Sequence, residues 1–147
     1  MRSLGRFLGG TVAIAAIAGL VLLGVRGCGA YLRAEAVTVI RYLHALGAGD
    51  TATVCDLVVE EARVKLLRLA RADSCEEAAA RLTAALAPEV RAELLRDDPG
   101  IYSIVVSGDR TEISLGAGPF DVHDFVLYER DGREKITDWG FEARRLS

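Results

Sequence analysis

Two histidines, His44 and His123, and three cysteines, Cys28, Cys55 and Cys75, are the side chains here whose types most readily carry chemistry. The histidines stand 79 positions apart and no HExxH or CxxC spacing occurs, so the pattern offers no metal site. Gly116-Ala117-Gly118 lacks the lysine and the Ser/Thr of a phosphate-cradling loop and reads as a plain turn. Acid–base catalysis needs two titratable groups converging within hydrogen-bond reach in a dry cavity. In strand alternation His123 shares a face with Phe125 and Leu127, whereas Asp124 shares the other with Val122 and Val126. The two cannot line one cavity. Motifs thus assign no catalytic, cofactor-binding or metal-ligating residue, and no cofactor is expected.

The elements that must position these side chains begin with an anchor. Arg2 and Arg6 precede an uncharged run of 19 residues, 7–25, which as a helix spans roughly 28 Å, close to the thickness of a bilayer core. The basic tail 1–6 outweighs Arg26 and Arg33, so the positive-inside rule places the N-terminus in the cytoplasm and everything after the run outside. Residues 26–33 are then a juxtamembrane linker and 34–147 an exported domain. Two alternatives keep the export and change the anchor. Val25-Arg26-Gly27-Cys28 resembles a bacterial lipobox at three positions, with Arg26 departing from it, which would make Cys28 a lipidation site. Simple cleavage after Ala30 or Ala36 is the other.

Helical spacing of Ala36, Val39, Ile40, Leu43 and Leu46 predicts a first helix over 34–46, stopped by Gly47 and Gly49. Asp50 is a plausible N-cap for a second helix carrying Val54, Leu57 and Val58, with 60–71 still helical in pattern, although Val64, Leu66, Leu67 and Leu69 also suit a short strand. The charged face of that stretch reads as solvated. Ser74-Cys75-Glu76-Glu77 matches a capping box opening a third helix, with Ala78, Ala79, Leu82 and Leu86 inward and Pro88 closing it. A helical turn over 89–96 follows. Beyond Gly100 the period changes to two. Runs at 101–107 and 110–115 flank Gly108-Asp109, and runs at 122–130 and 134–141 flank Asp131-Gly132, predicting two hairpins. Trp139 and Phe141 read as aromatics closing the sheet, or else as a wall for a ligand. Helices first and an antiparallel meander afterwards is an α+β order.

Charge narrows the partners. Without Arg2, Arg6 and Arg26 the chain carries 15 basic against 21 acidic residues, net −6. Such a domain has no electrostatic footprint for nucleic acid and gains nothing from an anionic membrane surface. The cysteines fit export. Cys28 sits at the membrane boundary, while Cys55 on the second helix and Cys75 at the start of the third are 20 positions apart. That separation suits a disulfide between neighbouring helices. The alternative is two unpaired apolar cysteines. A catalytic thiol would have no adjacent histidine to lower its pKa.

The order of elements behind an anchor resembles the nuclear transport factor 2-like superfamily, most of all its small exported members from high-GC Gram-positive bacteria. The resemblance rests on Ala36-Val37 through Tyr42-Leu43-His44-Ala45-Leu46-Gly47-Ala48-Gly49-Asp50, on Cys55 with Ser74-Cys75-Glu76-Glu77-Ala78, on Val106-Ser107-Gly108-Asp109 and on Trp139. It implies a cone, in which a curved antiparallel sheet is closed by three helices over an apolar pocket. Enzymes of that superfamily use pocket Asp, His and Tyr residues, for which Tyr42, His44, Asp121, His123, Asp124 and Tyr128 are the candidates here. Fold alone does not select function. The leading expectation is a non-enzymatic interaction module tethered outside the membrane, with a protein partner at the cell surface. A binder of a small apolar ligand comes next, and an isomerase- or cyclase-like enzyme last.

Overall fold

A computed structural model describes residues 36–116 and 122–141, except the side chains of Val122, His123 and Phe141. The expected anchor 7–25, the linker with Cys28, and Asp121 lie outside the described residues. Among the described residues no helix is long and apolar enough to cross a membrane.

The domain is α+β, and its described residues form five helices followed by a four-stranded antiparallel sheet in the order β1-β2-β3-β4. The helices are α1 (Val37–Ala48), α2 (Thr51–Leu57), α3 (Glu60–Ala70), α4 (Cys75–Ala85) and α5 (Pro88–Leu94). The strands are β1 (Ile101–Ser107), β2 (Arg110–Leu115), β3 (Val122–Arg130) and β4 (Arg133–Phe141).

Several helix boundaries differ from the sequence reading, each for a local reason. Helix α1 runs through Gly47 and ends at Gly49, whose φ of 77° is the left-handed C-cap that glycine adopts without strain. Gly47 serves packing instead, because a Cβ there would lie 2.9 Å from the Leu94 Cβ of α5. The second and third helices are separate, since Val58 turns extended (φ −108°, ψ 144°) and forms a parallel bridge with Ile136 of β4. The strand-like element is therefore Val58, and 60–70 is helix throughout. Pro88 does not close α4 but opens α5, where a missing N–H costs nothing. At the capping box Ser74 Oγ accepts from the Glu77 N–H (3.2 Å), while the Glu77 carboxylate reaches back to the N–H of Asp73 rather than that of Ser74. Among the described residues there are thus five helices where three and a further helical turn were expected.

Two rows of side chains cross the core face of the sheet. One is Ile104, Ile113, Phe125 and Trp139; the other is Val106, Thr111, Leu127 and Ile136. Strict alternation would put Ile136 and Trp139 on opposite faces. A bulge in β4 prevents this: Val126 pairs with Asp138 and Leu127 with Ile136, leaving Thr137 as the extra residue, its hydroxyl donating to the Val126 carbonyl (3.0 Å). Both side chains therefore point inward, 0% and 2% exposed. The helices meet them with Val39, Tyr42, Leu43, Val54 and Leu66, forming one core. Cys55 of α2 and Cys75 of α4 are joined, with Sγ atoms at 2.04 Å and Cα atoms at 6.0 Å.

Candidate functional site

The candidate acid–base residues that fall within the described residues point to different places. Tyr42 lies on the inner side of α1, its ring centroid 6.0 Å from that of Phe125 and 6.2 Å from that of Trp139. Burial raises its phenol well above the usual range. His44, two residues along the helix and hence on another side, donates from Nε2 to the Arg96 carbonyl (2.9 Å). Asp124 is on the outer sheet face and accepts from the Ser114 hydroxyl (2.6 Å). Tyr128 stands across from Arg110 on one side and Lys135 on the other. Tyr42, His44, Asp124 and Tyr128 therefore do not converge. Asp121 and the side chain of His123 lie outside the described residues. Trp139 is a core aromatic beneath Tyr42, and among the described residues no cluster of three metal-ligating side chains occurs.

The charged face of α3 does more than meet solvent. Lys65 extends over the Trp139 ring, 5.5 Å from its centroid, and donates to the Trp139 carbonyl and to the Asp138 carboxylate. The hydrogen bond from Lys65, aided by the Trp139 N–H and the ammonium charge, holds Asp138 below the usual carboxylate range. Arg63 donates twice to the Cys55 carbonyl, at 2.9 and 3.3 Å. Lys135 likewise bonds the carboxylate and carbonyl of Asp56, whose pKa is lowered first by that hydrogen bond. These cations tie α2, α3 and β4 together. The open cleft between them, lined by Glu60, Arg63, Arg130, Asp131, Arg133 and Lys135 among others, mixes both signs. Four of those six side chains are cations, one of which, Arg63, pairs with Glu60 at 3.5 Å.

The surface that lacks a structural explanation is β1. The opposite edge is met at Ile136 of β4, which Val58 bridges and whose carbonyl accepts from the Val59 N–H (3.0 Å). Among the described residues nothing pairs with the outer edge of β1. Tyr102 is 83% exposed, Val105 56% and Val106 51%, and the strand IYSIVVS carries no charge and no proline. Val105 and Val106 are consecutive and point to opposite faces, so both faces of the edge are open. Natural edges are usually blunted by charge, proline or cover. A bulge between Ile101 and Ser103 is the sole such device visible here, and Ser103–Ser107 keeps a regular register with β2. The uncharged run between Gly100 and Gly108 was visible in the sequence as a strand. That it forms an edge was not, because strand order is a property of the sheet. Compared with known proteins, the chain matches no family model, no curated protein and no solved structure.

Proposed function

We propose that this chain is a membrane-anchored, extracytoplasmic interaction module that binds protein through the free edge of its sheet. The single observation behind this reading is β1: an uncharged edge strand with three exposed apolar side chains. Exposed apolar surface of that kind marks interaction sites, and a free strand edge supplies backbone donors and acceptors for an added strand. The order of helices before a four-stranded antiparallel sheet is compatible with a nuclear transport factor 2-like cone. In that cone an apolar ligand would sit between helices and sheet, where Tyr42, Phe125 and Trp139 pack against one another. This contact favours the protein-binding reading over the ligand-binding one.

The test is photo-crosslinking of the full chain in its membrane. A crosslinker replacing Tyr102 should give a discrete protein adduct, and one replacing the exposed Glu61 on α3 should not. No adduct at Tyr102 removes the reading.

A further inference from the structure

We infer that the cleft between the start of α3 and the β3–β4 hairpin is a binding site for a phosphate group, held by Arg130 and Arg133. The site is separate from β1 and does not rest on the reading given to that strand.

Charge is sorted by face in this hairpin. Arg130 stands directly opposite Arg133, and the next pair along the strands is Glu129 opposite Glu134. Like charges set across from each other destabilise a sheet, and the same four residues with one neighbouring pair exchanged would form two attractive pairs instead. Consecutive residues point to opposite faces, so the order found gathers both arginines on one face and both glutamates on the other. The arginine face opens on the cleft, which Arg130 and Arg133 line and Glu129 and Glu134 do not. Lys135, two residues beyond Arg133 and on the same face, lines it as well, and Arg63 joins from α3.

Among the described residues neither Arg130 nor Arg133 forms an ion pair, and both are exposed. The other two cations are already fixed. Lys135 holds Asp56, while Arg63 holds the Cys55 carbonyl and, at 3.5 Å, a Glu60 side chain that is 77% exposed. Asp131 at the turn is the other carboxylate lining the cleft, so four cations stand against two acids. Positive charge prevails nearby as well: Asp56 is held below the usual carboxylate range first by Lys135 and then by Arg133 and Arg41.

A phosphate monoester suits this set. It brings close to two negative charges and three acceptor oxygens, and guanidinium forks bind phosphate bidentately. A single carboxylate offers two oxygens and one charge, which one fork satisfies. An anion between Arg130 and Arg133 also offsets the repulsion that the hairpin otherwise carries. The cleft, about 620 Å³ and open to solvent, accommodates more of a ligand than its phosphate. The net charge of −6 repels extended polyanions, which restricts the site to a compact group.

Two sources carry this chemistry, a soluble phosphate compound and a phospholipid headgroup. Calorimetry on the full chain in neutral detergent micelles, at constant ionic strength, separates them with pyrophosphate and with short-chain phosphatidylglycerol. At least one should bind saturably, one per chain. Pyrophosphate binding assigns a soluble source, and binding of the lipid alone assigns a headgroup. Arg130→Gln/Arg133→Gln should weaken that binding about tenfold or more. Both positions are exposed, and an unchanged unfolding midpoint without ligand reports that the domain is intact. Arg68→Gln/Arg96→Gln removes the same charge from exposed positions that do not line the cleft, and should bind as the unaltered chain does. No saturable binding of either probe, or an equal effect of the two double variants, overturns the inference. So does citrate binding as tightly as the phosphate probe, which would make the cleft a carboxylate site.

Discussion

Tyr42 couples the stability of the domain to pH from the alkaline side. Burial against Phe125 and Trp139 raises its folded-state pKa, while the unfolded phenol titrates near ~10. A group raised in this way contributes stability that is complete below the unfolded pKa and is lost as pH rises toward the folded one. The protein should therefore lose stability progressively above about pH 10, and Tyr42→Phe should flatten that limb in urea melts. An identical alkaline slope in the variant would show that Tyr42 is not the group responsible. Asp138 acts from the other side. Its pKa is depressed by Lys65, so its contribution is present above the unfolded value of about 3.9 and is lost as pH falls through the folded one. Asp138→Asn should shallow the acid limb of the same melts, and an unchanged limb would assign the loss elsewhere. Neither role was legible in the sequence. Tyr42 was singled out as an acid–base candidate without a way to see its depth. Lys65 sat on a face that read as solvated, because its partners are 73 and 74 positions away.

Helix pairing depends on two contacts of different kinds. The disulfide between α2 and α4 closes a loop of separation 20, which removes unfolded-state entropy worth roughly 3 kcal/mol. Reduction, or replacement of both cysteines by alanine, should lower the unfolding free energy by about that amount in chemical denaturation. A change under about 1 kcal/mol would mean the bridge constrains little. The second contact is Gly47, where α1 passes α5. The nearest obstacles to a side chain are the Leu94 Cβ at 2.9 Å and the Arg91 carbonyl at 3.1 Å, and that same α5 arginine donates to the Gly47 carbonyl at 3.1 Å. Gly47→Ala should force the helices apart at a cost of about 1–3 kcal/mol, against the gain alanine normally brings inside a helix. A stabilised variant would remove the close-approach argument. At this scale much of the fold was legible. Asp50 and Ser74 cap their helices as their types demand, and Asp131-Gly132 takes positive φ at both positions, as a tight hairpin requires. Three features escaped for physical reasons. Gly47 has the same local signature whether it ends a helix or packs one. Val58 leaves the helix for a bridge 78 positions away, and the β4 bulge depends on its partner strand.

At the scale of the whole molecule, net charge and the proposed anchor set where the edge of β1 can act. A domain of net −6 resists both nucleic acid and anionic lipid, which leaves neutral, apolar contact as the mode its surface favours, and β1 is where that surface lies. The candidate site was legible only as a strand; its exposure depends on which strand ends the sheet and on a core that takes in Ile101 and Ile104 of β1 but leaves Tyr102, Val105 and Val106 exposed. Two independent arguments support the proposed orientation. Arg2 and Arg6 before the 19-residue run direct the N-terminus to the cytoplasm, and a Cys55–Cys75 bridge forms and persists on the oxidising side. Both support the proposed placement of residues 34–147 outside. A reporter fused after Ser147 that functions only in the cytoplasm should be inactive, and one that needs export should work. Moving the basic residues from the tail 1–6 to the linker 26–33 should reverse the result and, with it, leave Cys55 and Cys75 open to alkylation without reduction. Cytoplasmic activity of the unaltered chain would overturn the orientation. If the cysteines stayed bridged after the reversal, the disulfide would no longer speak for export, and the charge asymmetry would carry that argument alone.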